Sequence, residues 1–239
     1  MLYGLFIGSF LNVCIYRIPS GISIINPPSS CGSCGHRLNY IDMLPVVNYI
    51  FNKGKCKYCS APYSIQYPLI ELLNGLLYVL VYIKFNLTLN SILYCLIISL
   101  LITISIIDLK HKIIPDGLNI TGAIIGIISI FLNQEFFNSL LGASIGLGLF
   151  LGIALLTNAM GGGDIKLMAV LGLIFGIKGV LFISLSSFVI GAIISVILIL
   201  LKIRSRKDEI PFGPFISLSA LIYMFFGTEL INWYLAIFI

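Results

Sequence analysis

The sequence predicts an all-α polytopic membrane protein of about eight transmembrane helices, with one large polar loop between the first two. Three observations predict it. The 239 residues are 59% hydrophobic and only 10% charged, with a mean hydropathy of +1.09, far from the balance of soluble globular chains. Apolar segments of spanning length recur from one end of the chain to the other. Basic residues gather in alternate loops, as they do in membrane proteins of fixed orientation.

The expected spans run from Met1 to Ile18, Tyr67 to Phe85, Ser91 to Ile107, Leu118 to Leu132, Phe136 to Leu156, Ile165 to Ile177, Gly179 to Leu201 and Phe212 to Ile239, the last with a break near Gly227. The first lacks a basic n-region and a small-residue cleavage site and ends in Arg17, so it reads as a retained anchor. Three divisions follow: a first transmembrane helix at 1–18, a cytoplasmic four-cysteine loop at 19–66, and a helical membrane core at 67–239.

Counting spans places loops 19–66, 108–117, 157–164 and 202–211 on one side. Arg17, Arg37, Lys53, Lys55, Lys57, Lys110, Lys112, Lys166, Lys202, Arg204, Arg206 and Lys207 fall there, against Lys84 and Lys178 opposite. Twelve of 14 basic residues on one face make that face cytoplasmic and put both termini outside. The net charge of +5 therefore reflects topology, and no nucleic-acid partner is expected.

The polar loop contains "CGSCGHRLNYIDMLPVVNYIFNKGKCKYC". Two CxxC pairs, Cys31 with Cys34 and Cys56 with Cys59, stand 21 residues apart, just beyond the roughly 15 to 20 of a zinc ribbon. Each pair puts two thiolates on one tight knuckle, eased by Gly32 or Gly35, and two knuckles supply the four ligands of a closed tetrahedral zinc site. A reducing cytosol disfavours disulfides. A structural zinc site in a cytoplasmic zinc-binding loop is thus expected, with redox chemistry or vacant thiols as the alternatives. Cys14 and Cys95 lie inside spans and read as packing residues.

Carboxylates in or beside the spans are few, and each costs roughly 2.5 to 3.5 kcal/mol near a helix centre. The candidates are Glu71, Asp108, Asp116 and Asp164. Asp108 ends the third span, where the helix dipole disfavours an anion; the plain alternative is a border residue neutralised by Lys110, His111 or Lys112. Asp116 follows Pro115 and reads as an N-cap for the fourth span. Asp164 follows Gly161, Gly162 and Gly163, more glycine than a cap requires, and this stretch reads as an open, unwound loop through which an extended peptide approaches the carboxylate.

Asp108 and Asp164 are 56 positions apart, yet span counting puts both at the same border. Two carboxylates in contact at a low-dielectric boundary cannot both ionise easily, so the pair shares a proton. That is the chemistry of an aspartic protease. One partner draws a proton from water while the other polarises the peptide carbonyl, and the pair titrates as a unit. His36 and His111 lie in different loops, and no nucleophile elbow or HExxH appears.

"GSFLNVCIYRIP" (Gly8 to Pro19), the CxxC pairs, "YPLIELL" (Tyr67 to Leu73), "DLKHKIIPD" (Asp108 to Asp116), "GGGDIKL" (Gly161 to Leu167) and "IPFGPFIS" (Ile210 to Ser217) run in order over nearly the whole chain. Together they closely resemble the type IV prepilin peptidases, which belong with the GxGD intramembrane aspartyl proteases alongside presenilin and the archaeal preflagellin peptidases. The resemblance implies cleavage of the short basic leader of type IV prepilins or pseudopilins after a glycine at the cytoplasmic face, with Asp108 and Asp164 as the catalytic pair. It also implies N-methylation of the new N-terminal residue with S-adenosylmethionine. The residues that bind this methyl donor are not identified, with the cysteine loop and Glu71 as candidates; Glu71 reads equally as a buried residue hydrogen-bonded to a neighbouring helix. "GASIGLG" (Gly142 to Gly148), like Gly4 with Gly8, reads as small-residue helix packing.

Two rival functions remain at this point. In a transporter, Asp108, Asp164 and Glu71 would bind ions or relay protons, although nothing suggests inverted repeats. A membrane scaffold would use the cysteine loop to recruit a partner and would leave the GGGD block idle.

Overall fold

The structure is a computed structural model that describes residues 1–39, 41–157, 160–203, 205 and 208–238. Arg204, Arg206 and Lys207, counted above on the basic face, lie outside the described residues, as does Ile239. Among the described residues the chain is helical, with no strand and only two isolated bridges, Ser30 with Arg37 and Lys55 with Pro62. It divides into two compact units, Met1–Thr103 and Ile104–Ile239.

The first unit contains α1 (Leu2–Arg17), a 3-10 turn (Ile41–Met43), α2 (Val47–Phe51), α3 (Gln66–Phe85) and most of α4 (Leu89–His111). Glycines let α1 and α3 touch backbone to backbone, as the spacing of Gly4 and Gly8 predicts. A Cβ on Gly4 would stand 2.8 Å from the Cα of Gly75, and one on Gly8 would stand 2.7 Å from the Cα of Glu71. That closeness brings side-chain amides to facing backbone: Asn74 Nδ2 donates to Gly4 O at 2.7 Å and Asn12 Nδ2 to Tyr67 O at 3.1 Å. Ser99 Oγ on α4 donates to Asn74 Oδ1 at 3.0 Å. Interhelical bonds of this kind contribute about 0.6 kcal/mol each in a membrane protein, and they set register as much as stability.

The second unit holds the end of α4, then α5 (Asp116–Asn133), α6 (Phe136–Thr157), α7 (Gly162–Leu200) and α8 (Gly213–Phe238). Within α7 the backbone of Gly176 leaves the helix, with φ 67° and ψ −167°, a conformation essentially confined to glycine. The chain reverses there. Cβ atoms built on Gly142 and Gly146 of α6 would meet Gly172 and Met168 of the incoming leg, and Gly176 and Val180 of the outgoing one. Along α6 the contacts thus descend on one leg and ascend on the other. Asn138 secures the reversal, its Oδ1 accepting the Ile177 amide at 3.0 Å.

Among the described residues six helices, α3 to α8, are long and apolar enough to cross a membrane, slightly fewer than the eight spans expected. Two causes account for the difference. The expected sixth and seventh spans are one 39-residue element folded at Gly176, and α1 is apolar but only 16 residues long. The break expected near Gly227 is absent, since α8 continues through it. The protein is a multi-pass membrane protein.

Candidate active site and metal centre

Asp108 sits in the last turn of α4 and is 5% exposed. Its Oδ2 accepts the backbone N–H of Gly213, the first residue of α8, at 2.9 Å. Among the described residues no ion pair joins it to Lys110, His111 or Lys112: Lys112 pairs with Glu209 at 3.4 Å, and the carboxylate accepts an amide. Helix N-termini present unpaired N–H groups, so this is a favourable place for an acid.

Asp164 lies in the first turn of α7, whose N-cap is Gly161. Its carboxylate is bonded by the Gly161 amide and interacts electrostatically with Asp108. Asp164 Oδ1 is buried and has no hydrogen-bond partner among the described residues. The second unit therefore brings together the two aspartates that the sequence singles out.

The glycines before Asp164 divide the work differently from the expected unwound loop. Gly162 and Gly163 are already helical; only Gly161 is extended, at φ −74° and ψ 148°. Gly163 permits packing, since a Cβ there would stand 2.8 Å from the Cβ of Ile114 in the α4–α5 connection. A Cβ on Gly162 would meet nothing within 4 Å, and one on Gly161 would meet only the Asp164 carboxylate, at 3.4 Å. The open side is thus at Gly161 and Gly162.

Asp116 is not the N-cap of α5. Pro115 occupies that position, and the Asp116 carboxylate takes Lys166 Nζ at 2.7 Å. That ion pair links the first turns of α5 and α7 near Asp164. Gly213 is the site residue that sequence reasoning missed; "IPFGPFIS" entered only as a marker of resemblance, although its first helical amide is what meets Asp108.

In the first unit the four sulfurs of Cys31, Cys34, Cys56 and Cys59 lie within 4.8 Å of one another, and they could hold a metal ion. The two knuckles repeat one geometry. Gly35 N–H donates to Cys31 O and Ser60 N–H to Cys56 O, both at 2.9 Å, while Cys31 and Cys56 donate to His36 O and Ala61 O. Gly35 and Ser60 take φ of 70° and 59°, so Gly35, rather than Gly32, eases the first turn. The Tyr63 hydroxyl, with the amides of Cys59 and Tyr58, holds the Cys56 thiol down to about 6. Amides of Cys34 and Ser33 lower Cys31 as well. Thiols stabilised as thiolates are what a metal site needs.

Glu71 is buried in α3, where its Oε2 accepts the Val46 N–H at 2.8 Å and Ser9 of α1 also hydrogen-bonds the carboxylate. Cys14 is buried in α1 and Cys95 half-buried in α4.

Comparison with known proteins bears on both units. Residues 2–85 match the family model described as the bacterial peptidase A24 N-terminal domain, and residues 95–196 match the type IV leader peptidase family. A prepilin leader peptidase/N-methyltransferase of Bacillus subtilis is 33% identical over 98% of this chain and 96% of its own length. Proteins of the same name from Legionella pneumophila and Pseudomonas aeruginosa are 33% and 30% identical, each over 98% of this chain and 92% of the relative. No solved structure matches. The transporter reading finds no support among these relatives. With six membrane helices and relatives aligned almost end to end, the chain belongs to the prepilin leader peptidase/N-methyltransferase family of enzymes.

Proposed function

We propose that the chain cleaves the leader of type IV prepilins or pseudopilins after a glycine at the cytoplasmic membrane face, using Asp108 and Asp164 as its catalytic pair. The observation that carries this reading is the meeting of two carboxylates from α4 and α7, one on the Gly213 amide and the other with a buried, unpartnered oxygen. A water held between them loses its proton to the ionised member as its oxygen attacks the scissile carbonyl carbon. The protonated member donates a hydrogen bond to the carbonyl oxygen. Collapse of the tetrahedral intermediate breaks the C–N bond, and the proton taken from water passes to the leaving amine. Gly161 and Gly162, open on their outer side, form the approach for the substrate backbone. The basic loops of the sequence support a cytoplasmic face for this border and termini outside.

The second activity is methylation of the amine exposed by cleavage, with S-adenosylmethionine as donor. It rests on the name the relatives carry. Glu71, a sequence candidate for contact with the donor, is engaged by Val46 and Ser9.

The four thiols suit zinc. Four sulfurs about 2.3 Å from one zinc ion stand about 3.8 Å apart at tetrahedral angles, and Cys31 Sγ lies 3.8 Å from Cys59 Sγ. A closed set of four leaves no position for substrate, so the ion would fold the loop.

The deciding experiment is cleavage of a purified prepilin in proteoliposomes by Asp108→Asn and Asp164→Asn. Both variants should be inactive with unchanged helix content; full processing by either overturns the pair. Mass analysis of the mature N-terminus, with and without S-adenosylmethionine, reads the methyl transfer separately.

A further inference from the structure

The segment Leu44–Phe51 in the polar loop supplies no ligand to the four-thiol cluster; it braces the second knuckle only from behind, through Gly54 N–H to Tyr49 O at 2.8 Å. Its helix α2, sequence VNYIF, leaves Val47, Ile50 and Phe51 45%, 67% and 81% exposed. A run of open apolar side chains beside a membrane helix calls for an apolar medium.

The fold fixes where that run lies. Val46 N–H, at the start of α2, is bonded to Glu71, and Glu71 lies about 7.5 Å along α3 from Gln66 at 1.5 Å per residue. Because α3 is a membrane-crossing helix, α2 begins beside it, more than a turn below its first residue. With Gln66 taken as the point where α3 enters the bilayer, that depth would be the zone between headgroups and acyl chains. Val46 takes φ 62° and ψ −47°, in a γ-turn closed by Val47 N–H to Pro45 O at 2.6 Å. A β-branched residue adopts that conformation only under constraint. Immediately after α2 come Lys53, Lys55 and Lys57, all exposed, and the sequence has no acid between Asp42 and Glu71. Asp42 itself accepts the Asn39 amide and the Tyr58 hydroxyl.

We infer that Leu44–Phe51 is an interfacial anchor: Ile50 and Phe51 enter the upper acyl chains of the bilayer, and Lys53, Lys55 and Lys57 rest on anionic lipid phosphates, tethering the four-cysteine loop to the membrane surface. An apolar face flanked by lysines is the composition that lies in the membrane interface. The inference depends on α3 crossing the membrane and is independent of cleavage.

The chain has a single tryptophan, so the double substitution Trp233→Phe with Phe51→Trp gives a one-reporter protein. It is reconstituted in phosphatidylcholine vesicles containing phosphatidylglycerol and a lipid brominated high on its acyl chain. The expected result is blue-shifted emission, quenched about twofold by the bromolipid and little by aqueous acrylamide. Bromolipid quenching should weaken when Lys53, Lys55 and Lys57 are replaced by Gln. Emission quenched by acrylamide alone overturns the anchor, and so does blue-shifted emission that bromolipid leaves untouched, which would mean a protein surface covers the segment. The unsubstituted protein supplies a second reading: a phospholipid with a photoreactive diazirine near its carbonyl should label residues 44–51, and an absence of adducts there overturns the inference equally.

Discussion

The amide of Gly213 donates to Asp108 Oδ2 at 2.9 Å, joining the start of α8 to the end of α4 across 105 positions. The acid is thereby oriented by a group that cannot rotate away. A Cβ at 213 would stand 2.8 Å from that oxygen, so Gly213→Ala must push the carboxylate off its donor. Misplacing a catalytic group by about 1 Å costs on the order of 100-fold in rate. We expect kcat for prepilin cleavage to fall by about that factor while KM changes little; a rate near the parent's would remove Gly213 from the site.

The glycines before Asp164 should separate by their surroundings. Gly163→Leu collides with Ile114 and is expected to lower the unfolding temperature. Gly162→Leu meets open space, so it should leave stability unchanged but raise KM by obstructing the substrate's path. Equal effects on stability from the two variants would contradict this division.

At the thiol cluster, Tyr63→Phe removes the hydroxyl that most lowers the Cys56 thiol, which lies at about 6. Without it the thiol moves back toward the ordinary value near 9, and protons then compete with the metal at higher pH. Sign and direction are fixed: metal is held above the release midpoint and lost as pH falls, and the variant should release it at higher pH than the parent. A chromogenic chelator titration measures both midpoints. Identical midpoints would show that the hydroxyl does not support the thiolate.

The crossing of α6 and α7 has no room for a methyl group. A Cβ on Gly142 would stand 2.5 Å from Gly172 O, so Gly142→Ala should cost about 1 to 3 kcal/mol. Gly148→Ala is the control, since nothing lies within 4 Å of it. Thermal unfolding in detergent should distinguish them clearly.

Hydropathy averaged over a span locates long helices well, which is why Tyr67 to Phe85 and Phe136 to Leu156 emerge as Gln66–Phe85 and Phe136–Thr157. Short-range chemistry was legible too, in the CxxC knuckles and in the break that falls at Gly176. What eluded the sequence depends on distant partners. Asp116 looked like a cap because its neighbours suit one, but Lys166, 50 positions away, takes its carboxylate. The Gly213 amide carries no side chain to advertise its bond to Asp108. The break expected near Gly227 does not occur, since α8 stays helical through it.

The reversal at Gly176 sets the length of the leg that bears Asp164. Residues 162–175 rise about 21 Å at 1.5 Å per residue, roughly 9 Å less than a hydrocarbon core of about 30 Å. A leg that short would create hydrophobic mismatch, which local thinning of the bilayer would relieve. Thinning would bring bulk water closer to Asp164, so the proposed cleavage should depend on the acyl-chain length of the membrane that holds the protein.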